Sequence, residues 1–316
     1  MIKQVIKTLT THKGTENLVL IKSEAKPGIL DYAILLKPRV MSLVLFTSIV
    51  GIVMAPGSID MVTALAAIIC IGMGAGASGA INMWYERDLD EKMERTRERP
   101  IPAGRMNPNS ALLFGITLII LSITAMVLFV NTVAAILLAV TIFYYIFIYT
   151  VWLKRRTPQN IVIGGGSGAL PPMIGWAAVS GNISLDAFLL FAIIFMWTPP
   201  HFWALALYNS SDYEKAGIPM MPTILGVEET KKLMLVYTIL LWPLTISPTF
   251  TGLIAIPSGV IIGLLGLWFI RHAIKVKNCN EHDEPRAMFK YSILHLFLIF
   301  VIFLADRSIQ AYLQAV

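Results

Sequence analysis

Apolar residues in this chain come in long, nearly unbroken runs, not in the alternating or 3.6-residue stripes of soluble elements. Crossing the hydrocarbon core of a bilayer takes about 20 apolar helical residues. Nine runs meet or approach that length: Arg39 to Pro56, Met61 to Tyr85, Ala111 to Val130, Thr132 to Trp152, Ile161 to Ser180, Leu185 to Tyr208, Leu233 to Phe250, Gly252 to Ile270 and Phe289 to Leu304. The last is the shortest. The seventh and eighth nearly merge in "LWPLTISPTFTGLIAIPSG", near Phe250 and Thr251. The pattern predicts an all-α polytopic membrane protein with nine transmembrane helices.

Composition agrees. The chain is 56% hydrophobic and only 14% charged, with a mean hydropathy of +0.72, too apolar for a soluble protein. Lysine and arginine then orient it. With nine spans, 24 of the 25 basic residues fall on one side and only Arg307 on the other. Cytoplasmic loops retain positive charge, so the N-terminus is expected in the cytoplasm and the C-terminus outside. The excess charge marks orientation and contact with anionic lipid, not nucleic acid.

Residues 1–36 read as a polar cytoplasmic tail ahead of a membrane domain over 37–316. The tail lacks the apolar core of a secretory signal. Glu16, Glu24 and Asp31 argue against a mitochondrial transit peptide. The expected location is a bacterial inner membrane. Cys70, within a span, and Cys279, in a loop, make no disulfide framework.

The chemistry should lie on the basic side, where the loops are long and ionisable. Two of these loops are alike: "NMWYERDLDEK…RPIPAG" after the second run and "LYNSSDYEKAGIPMMP" after the sixth. Four helices separate them, as in a parallel repeat that would bring both to one central cavity. The small-residue stretches "GMGAGASGA" and "GGGSGALPP" have no phosphate-loop signature. They predict close helix packing, with Pro171 and Pro172 kinking the fifth span.

In "INMWYERDLDEKMERTRERP", from Ile81 to Pro100, a membrane helix passes at once into acids and arginines. If the helix continues, Asn82, Glu86 and Asp90 share one face at i, i+4 and i+8, Asp88 points away, and Glu94 extends the ladder. Oxygen ligands of this kind suit Mg²⁺ shared with a substrate phosphate. The competing reading is a solvated helix end laced by pairs such as Glu91 with Arg95. A second acidic site at Asp212 and Glu214, with Arg95, Arg99, Lys154, Arg155 and Arg156 nearby to receive an anion, favours the metal.

The spacing of Asn82, Glu86 and Asp90, followed by Arg95-Thr96 and Arg99-Pro100, resembles the first signature of the UbiA superfamily of intramembrane prenyltransferases. The segments "YERDLDEKMERTRERPIPAGR", "YTVWLKRRTPQNIVIGGGSGALPPMIGW" and "TPPHFWALALYNSSDYEKAGIPMMP" are similar to its haem-directed branch, the protohaem IX farnesyltransferases or haem O synthases. The resemblance spans the chain from Lys37-Pro38-Arg39 through the ninth helix. It departs at Met83, where many members have Asp, at Glu86, where Asp is common, and at Ala216, where a second Asp is usual.

The resemblance implies a UbiA-type helical bundle around a central cavity open to the cytoplasmic side. It implies transfer of the farnesyl group of farnesyl diphosphate to a vinyl group of protohaem IX (haem B), with addition of water, giving haem O and diphosphate. Mg²⁺ would be held by Asn82, Glu86, Asp90 and Asp212. Arg95, Arg99, Lys154 and Arg155 would receive the diphosphate, and Lys37 and Arg39 either diphosphate or propionate. Tyr149 heads the aromatic candidates for stabilising an allylic cation, with Tyr144, Tyr145, Trp176, Phe202 and Trp203 behind it. His201 is a candidate haem or active-site residue, and His295 a weaker one. A haem A synthase receiving haem O is the implied partner. A UbiA-type transferase acting on a quinone precursor fits the acidic loop but fits "HFWALA" poorly. A secondary transporter fits nine helices but not charges gathered at one membrane surface.

Overall fold

The computed structural model describes residues 27–209, 217–279 and 283–315, and every regular element among them is a helix. A short helix α1 (Ile29–Leu35) leads into α2 (Pro38–Met54). Then come α3 (Met61–Tyr85), the single turn α4 (Arg87–Asp90), α5 (Pro108–Phe129) and α6 (Thr132–Phe143). The sixth helix continues as a π-helix, Tyr144–Leu153. Next are α7 (Asn160–Ala169), α8 (Pro171–Ser180), α9 (Leu185–Tyr208), α10 (Met221–Leu225), α11 (Val227–Ile246), α12 (Ile256–Asn278) and α13 (Asp283–Ala315). Counting α1 and α2, bent by 55°, as one broken span gives nine spans among the described residues, the number the apolar runs predict.

Local chemistry fixes the boundaries. Asp60 caps α3 through the Val62 and Thr63 amides, Asn107 caps α5 with Pro108 at its first position, and Ser184 caps α9. Such caps satisfy orphan N–H groups at helix starts. Asn131 caps α6, and its amide also donates to the Ala177 and Ala178 carbonyls at the end of α8. The fifth span is divided at Leu170, with Pro171 opening α8, because proline cannot continue the hydrogen-bond ladder.

The small-residue stretches are packing surfaces. Gly74 of α3 faces Leu138 of α6, and Gly76 receives Leu36, so an added Cβ would lie 2.8 and 2.7 Å from them. The tightest crossing is α2 on α8. A Cβ on Gly51 would overlap the Pro172 carbonyl, and one on Gly175 the Ser48 carbonyl. These obstacles are backbone, so no rotamer change relieves them. We expect Gly51→Ala and Gly175→Ala each to cost about 1–3 kcal/mol, read as a lower thermal unfolding midpoint in detergent.

Three features differ from the sequence expectation. Residues 29–35, assigned to the polar tail, form α1, whose Leu35 is fully buried. The shortest predicted span becomes the longest helix, α13, because it extends at both ends through polar residues. Asp306 within it is buried and accepts hydrogen bonds from the Ala255 amide, Ser258 and Gln310. This buried carboxylate thereby caps the start of α12 from a neighbouring helix. The merged seventh and eighth runs are separated by a 3-10 turn at Ser247–Thr249 and by Gly252 at φ +79°.

Candidate active site

The site is assembled where α3 ends. The α-helix stops at Tyr85, and Glu86 takes φ −94° and ψ 10° before the turn α4. The i to i+4 course survives the break: Glu86 N–H donates to Asn82 O and Asp90 N–H to Glu86 O, both at 2.9 Å. Asn82, Glu86 and Asp90 therefore keep one face, and all three are buried, at 2, 2 and 3% exposure. Asp88 and Glu94 are exposed.

Each rung meets its own cation. Lys37 Nζ donates to Asn82 Oδ1 at 2.7 Å. Lys154 Nζ donates to Glu86 Oε2 at 2.5 Å. Arg99 grips both Asp90 oxygens at 2.9 and 2.8 Å, and the Thr96 hydroxyl ties the Asp90 carbonyl into the same loop. Three cations face two carboxylates and an amide, a balance that favours an arriving anion.

Two backbone features bring the lysines in. Lys37 is the one described non-glycine residue at positive φ, 52°, a conformation that carries strain and clusters at functional sites. Its stem lies over Gly79 of α3, where a Cβ would sit 3.5 Å from Lys37 Cδ. On the other side, the π-helix ends with the Lys154 N–H donating to the Tyr149 carbonyl, an i to i+5 bond. Such wide turns are rare and recur at functional sites. Thr150 and Lys154 then face α3 together. Thr150 Oγ1 accepts from Asn82 Nδ2 at 3.1 Å, so two i, i+4 pairs on adjacent helices engage rung for rung. The Tyr149 ring packs against Gly164 of α7, lies 5.4 Å from Tyr145 and has Lys154 Nζ 5.7 Å from its centroid.

The remaining candidates fall elsewhere. Arg155 makes a bidentate pair with Asp88 at 2.7 and 2.8 Å on the outer side of α4, and this guanidinium holds the Asp88 carboxyl below the usual carboxylate range. Arg39 and Arg95 are exposed, and neither has an ion pair among the described residues. Asp212, with Glu214, lies outside the described residues. His201 is buried in α9 and its Nδ1 is 2.7 Å from Ser292 Oγ of α13. His295 is buried beside Phe269 and Tyr291, with both ring nitrogens unpartnered among the described residues.

Glu86 Oε1 is buried without a partner among the described residues. An orphaned carboxylate oxygen in a row of acceptors that already draws three cationic groups fits a hard divalent cation. The donors on offer are two carboxylates and one amide.

Thr150 was not among the sequence candidates. Its signal was present: it precedes Lys154 by four residues, the spacing of Asn82 and Glu86, but a threonine in an apolar run reads as core. We expect Thr150→Val to leave Asn82 Nδ2 buried and unsatisfied, costing about 1–3 kcal/mol, and to lower turnover about 10-fold with the protein still folded in detergent, read by product mass and thermal unfolding.

Comparison with known proteins gives the family of the chain. A protein from Azorhizobium caulinodans named protoheme IX farnesyltransferase is 52% identical over 286 residues, covering 89% of this chain and 92% of its own. A solved structure described as digeranylgeranylglyceryl phosphate synthase superposes with TM-score 0.75 at 16% identity, covering 88% of this chain and 98% of that one. A UbiA homologue from Archaeoglobus fulgidus bound to DMAPP and Mg²⁺ superposes with TM-score 0.69 at 15% identity, covering 88% and 99%. The profile of the UbiA prenyltransferase family matches residues 44–298, and with this match the chain belongs to the UbiA prenyltransferase family.

Proposed function

We propose that the chain transfers the farnesyl group of farnesyl diphosphate to a vinyl group of protohaem IX, with addition of water, giving haem O and diphosphate. The chemistry resides at the paired rungs on α3 and the π-helix. The observation that carries the placement is the buried row of Asn82, Glu86 and Asp90, each facing its own cation. The acceptor is supported by the 52% identical relative named protoheme IX farnesyltransferase.

Asn82, Glu86 and Asp90 would hold Mg²⁺, with Asp212 as a further ligand. When bound, the ion neutralises charge that develops on the diphosphate. Lys37, Lys154 and Arg99, one at each rung, bind the diphosphate oxygens, stabilising the leaving group as the carbon–oxygen bond breaks. Arg95 and Arg39, exposed at the rim, attract the anionic substrates, and Arg155 holds the loop through Asp88. The Tyr149 ring lies beside Lys154, with Tyr145 next to it, and aromatic faces near the allylic fragment as it becomes cationic contribute roughly 1–2 kcal/mol each. The apolar bundle takes the farnesyl chain and excludes water. The vinyl carbon attacks the allylic carbon, water adds to the cation left on the porphyrin side chain, and one proton is released. His201 contacts the haem.

The site faces the cytoplasm of a bacterial inner membrane, with the C-terminus outside, and haem O passes on to a haem A synthase. Purified protein supplied with Mg²⁺, farnesyl diphosphate and haem B should yield haem O by mass. Prenylation of an aromatic acid alone, with haem B untouched, would overturn the acceptor.

A further inference from the structure

We infer that His201 supplies its Nε2 lone pair to the iron of the haem substrate and that Ser292, on α13, is the positioning residue that sets its tautomer. The inference rests on the haem-acceptor reading above and deepens it.

The argument starts from proton bookkeeping. Ser292 Oγ donates its single proton to the Phe289 carbonyl at 2.6 Å, one helical turn back. Towards His201 Nδ1, 2.7 Å away, the hydroxyl can therefore only accept, so Nδ1 carries the imidazole proton. A neutral imidazole protonated at Nδ1 leaves Nε2 as a bare lone pair, the form that binds iron. A second bond from the same residue holds the frame: Trp197 Nε1 donates to the Ser292 carbonyl at 2.8 Å.

Three aromatic rings pack around the imidazole. Trp197 stacks on one side of His201 at 4.2 Å between centroids and 18°, and Phe289 stacks at 4.7 Å and 24°. Phe202 meets it edge-on at 5.1 Å. Nε2 has no partner among the described residues and is absent from their fully buried unpaired atoms, while His201 retains 8% exposure. A ring stacked against two aromatic neighbours, tied at one nitrogen and unpartnered at the other is pre-organised as a ligand, and an acceptor bonded to the opposite nitrogen is the usual support of a metal-binding histidine.

Position agrees as well. His201 lies seven residues before Tyr208, the end of α9, roughly 10 Å along the helix axis. A haem ligated at that depth would lie among the apolar residues of the bundle. The turn before His201 packs closely on α7: a Cβ on Gly165 would lie 2.8 Å from Thr198. The helix bearing Gly164, against which Tyr149 rests, thus links the haem position to the prenyl site.

The test uses the full chain in detergent, titrated with haem B and followed by Soret absorption and by the ferrous iron–imidazole stretch in resonance Raman. The same preparations receive farnesyl diphosphate and Mg²⁺ for assay by mass. Wild type should show the iron–imidazole signature, and His201→Gly should lose it and regain it with added imidazole. Ser292→Ala should move the stretch to lower frequency and weaken haem B binding about 10- to 100-fold, the range for loss of an outer-shell partner. Ser292→Thr, which keeps the hydroxyl, should restore both. The inference is overturned if His201→Gly keeps the wild-type spectrum, or if Ser292→Ala matches wild type in both spectrum and affinity. Haem O formation by a wild type lacking the signature would remove the ligand and leave the transferase. The signature without haem O would do the reverse.

Discussion

Glu86→Gln lowers turnover of farnesyl transfer roughly 100- to 1,000-fold, the range for removing one preorganised electrostatic element from a site that handles developing charge. Glu86 is the middle rung, almost sealed from solvent, with Oε2 held by Lys154 at 2.5 Å and Oε1 buried without a partner among the described residues. An amide retains the shape and one acceptor but not the charge. The loss should fall on turnover and on the Mg²⁺ concentration needed for half-activity, more than on haem B binding. Asp88→Asn is the control. Asp88 is two residues away, exposed and paired with Arg155 on the outer side of α4, and such surface pairs contribute at most about 1 kcal/mol. Its activity should stay within about twofold of wild type. Equal losses in the two variants would mean that the loop needs acidity in general and would remove the ladder. The measurement is initial rate by product mass at several Mg²⁺ concentrations, with thermal unfolding to show both variants folded.

The contrast between Glu86 and Asp88 also shows what the sequence could convey. Apolar runs delimit spans because the bilayer demands length, so Met61–Tyr85 and Leu185–Tyr208 appear in the structure with the limits read from the sequence. Spacing of four assigns Asn82, Glu86 and Asp90 to one face because helix periodicity survives even the break at Glu86. What sequence could not convey is contact between helices distant along the chain. Thr150 lies 68 residues from Asn82, and Ser292 lies 91 from His201. Both look like unremarkable hydroxyls in apolar runs until a partner helix is set beside them. Nor did composition reveal the π-helix, since "YYIFIYTVWL" is as apolar as the α-helix before it. Basic residues divide likewise: Arg99, nine residues after Asp90, reaches back to grip it, while Arg95 on the same loop is exposed. Charge alone does not separate them; the fold of the loop around Thr96 does.

Arg99→Ala should reduce both stability and activity, and the two losses can be separated. The guanidinium grips both oxygens of Asp90, with side-chain exposures of 20% for Arg99 and 4% for Asp90. Removing it strands a buried carboxylate, which costs about 3 kcal/mol, the lower end for breaking a buried pair because Arg99 is partly solvated. In Arg99 a single nitrogen, Nη1, makes both contacts to Asp90, so Arg99→Lys, which keeps a positive charge on one nitrogen, can still face the carboxylate. It should recover part of both the stability and the affinity for farnesyl diphosphate. The double variant Asp90→Asn with Arg99→Ala removes the stranded charge, so its unfolding midpoint should rise above that of Arg99→Ala alone, the non-additivity expected of residues in direct contact. Activity should not return, because both a rung and a diphosphate-binding cation are then missing. A double variant that regains turnover along with stability would show that the pair serves only to hold the loop, and Arg99 would lose its place in the site.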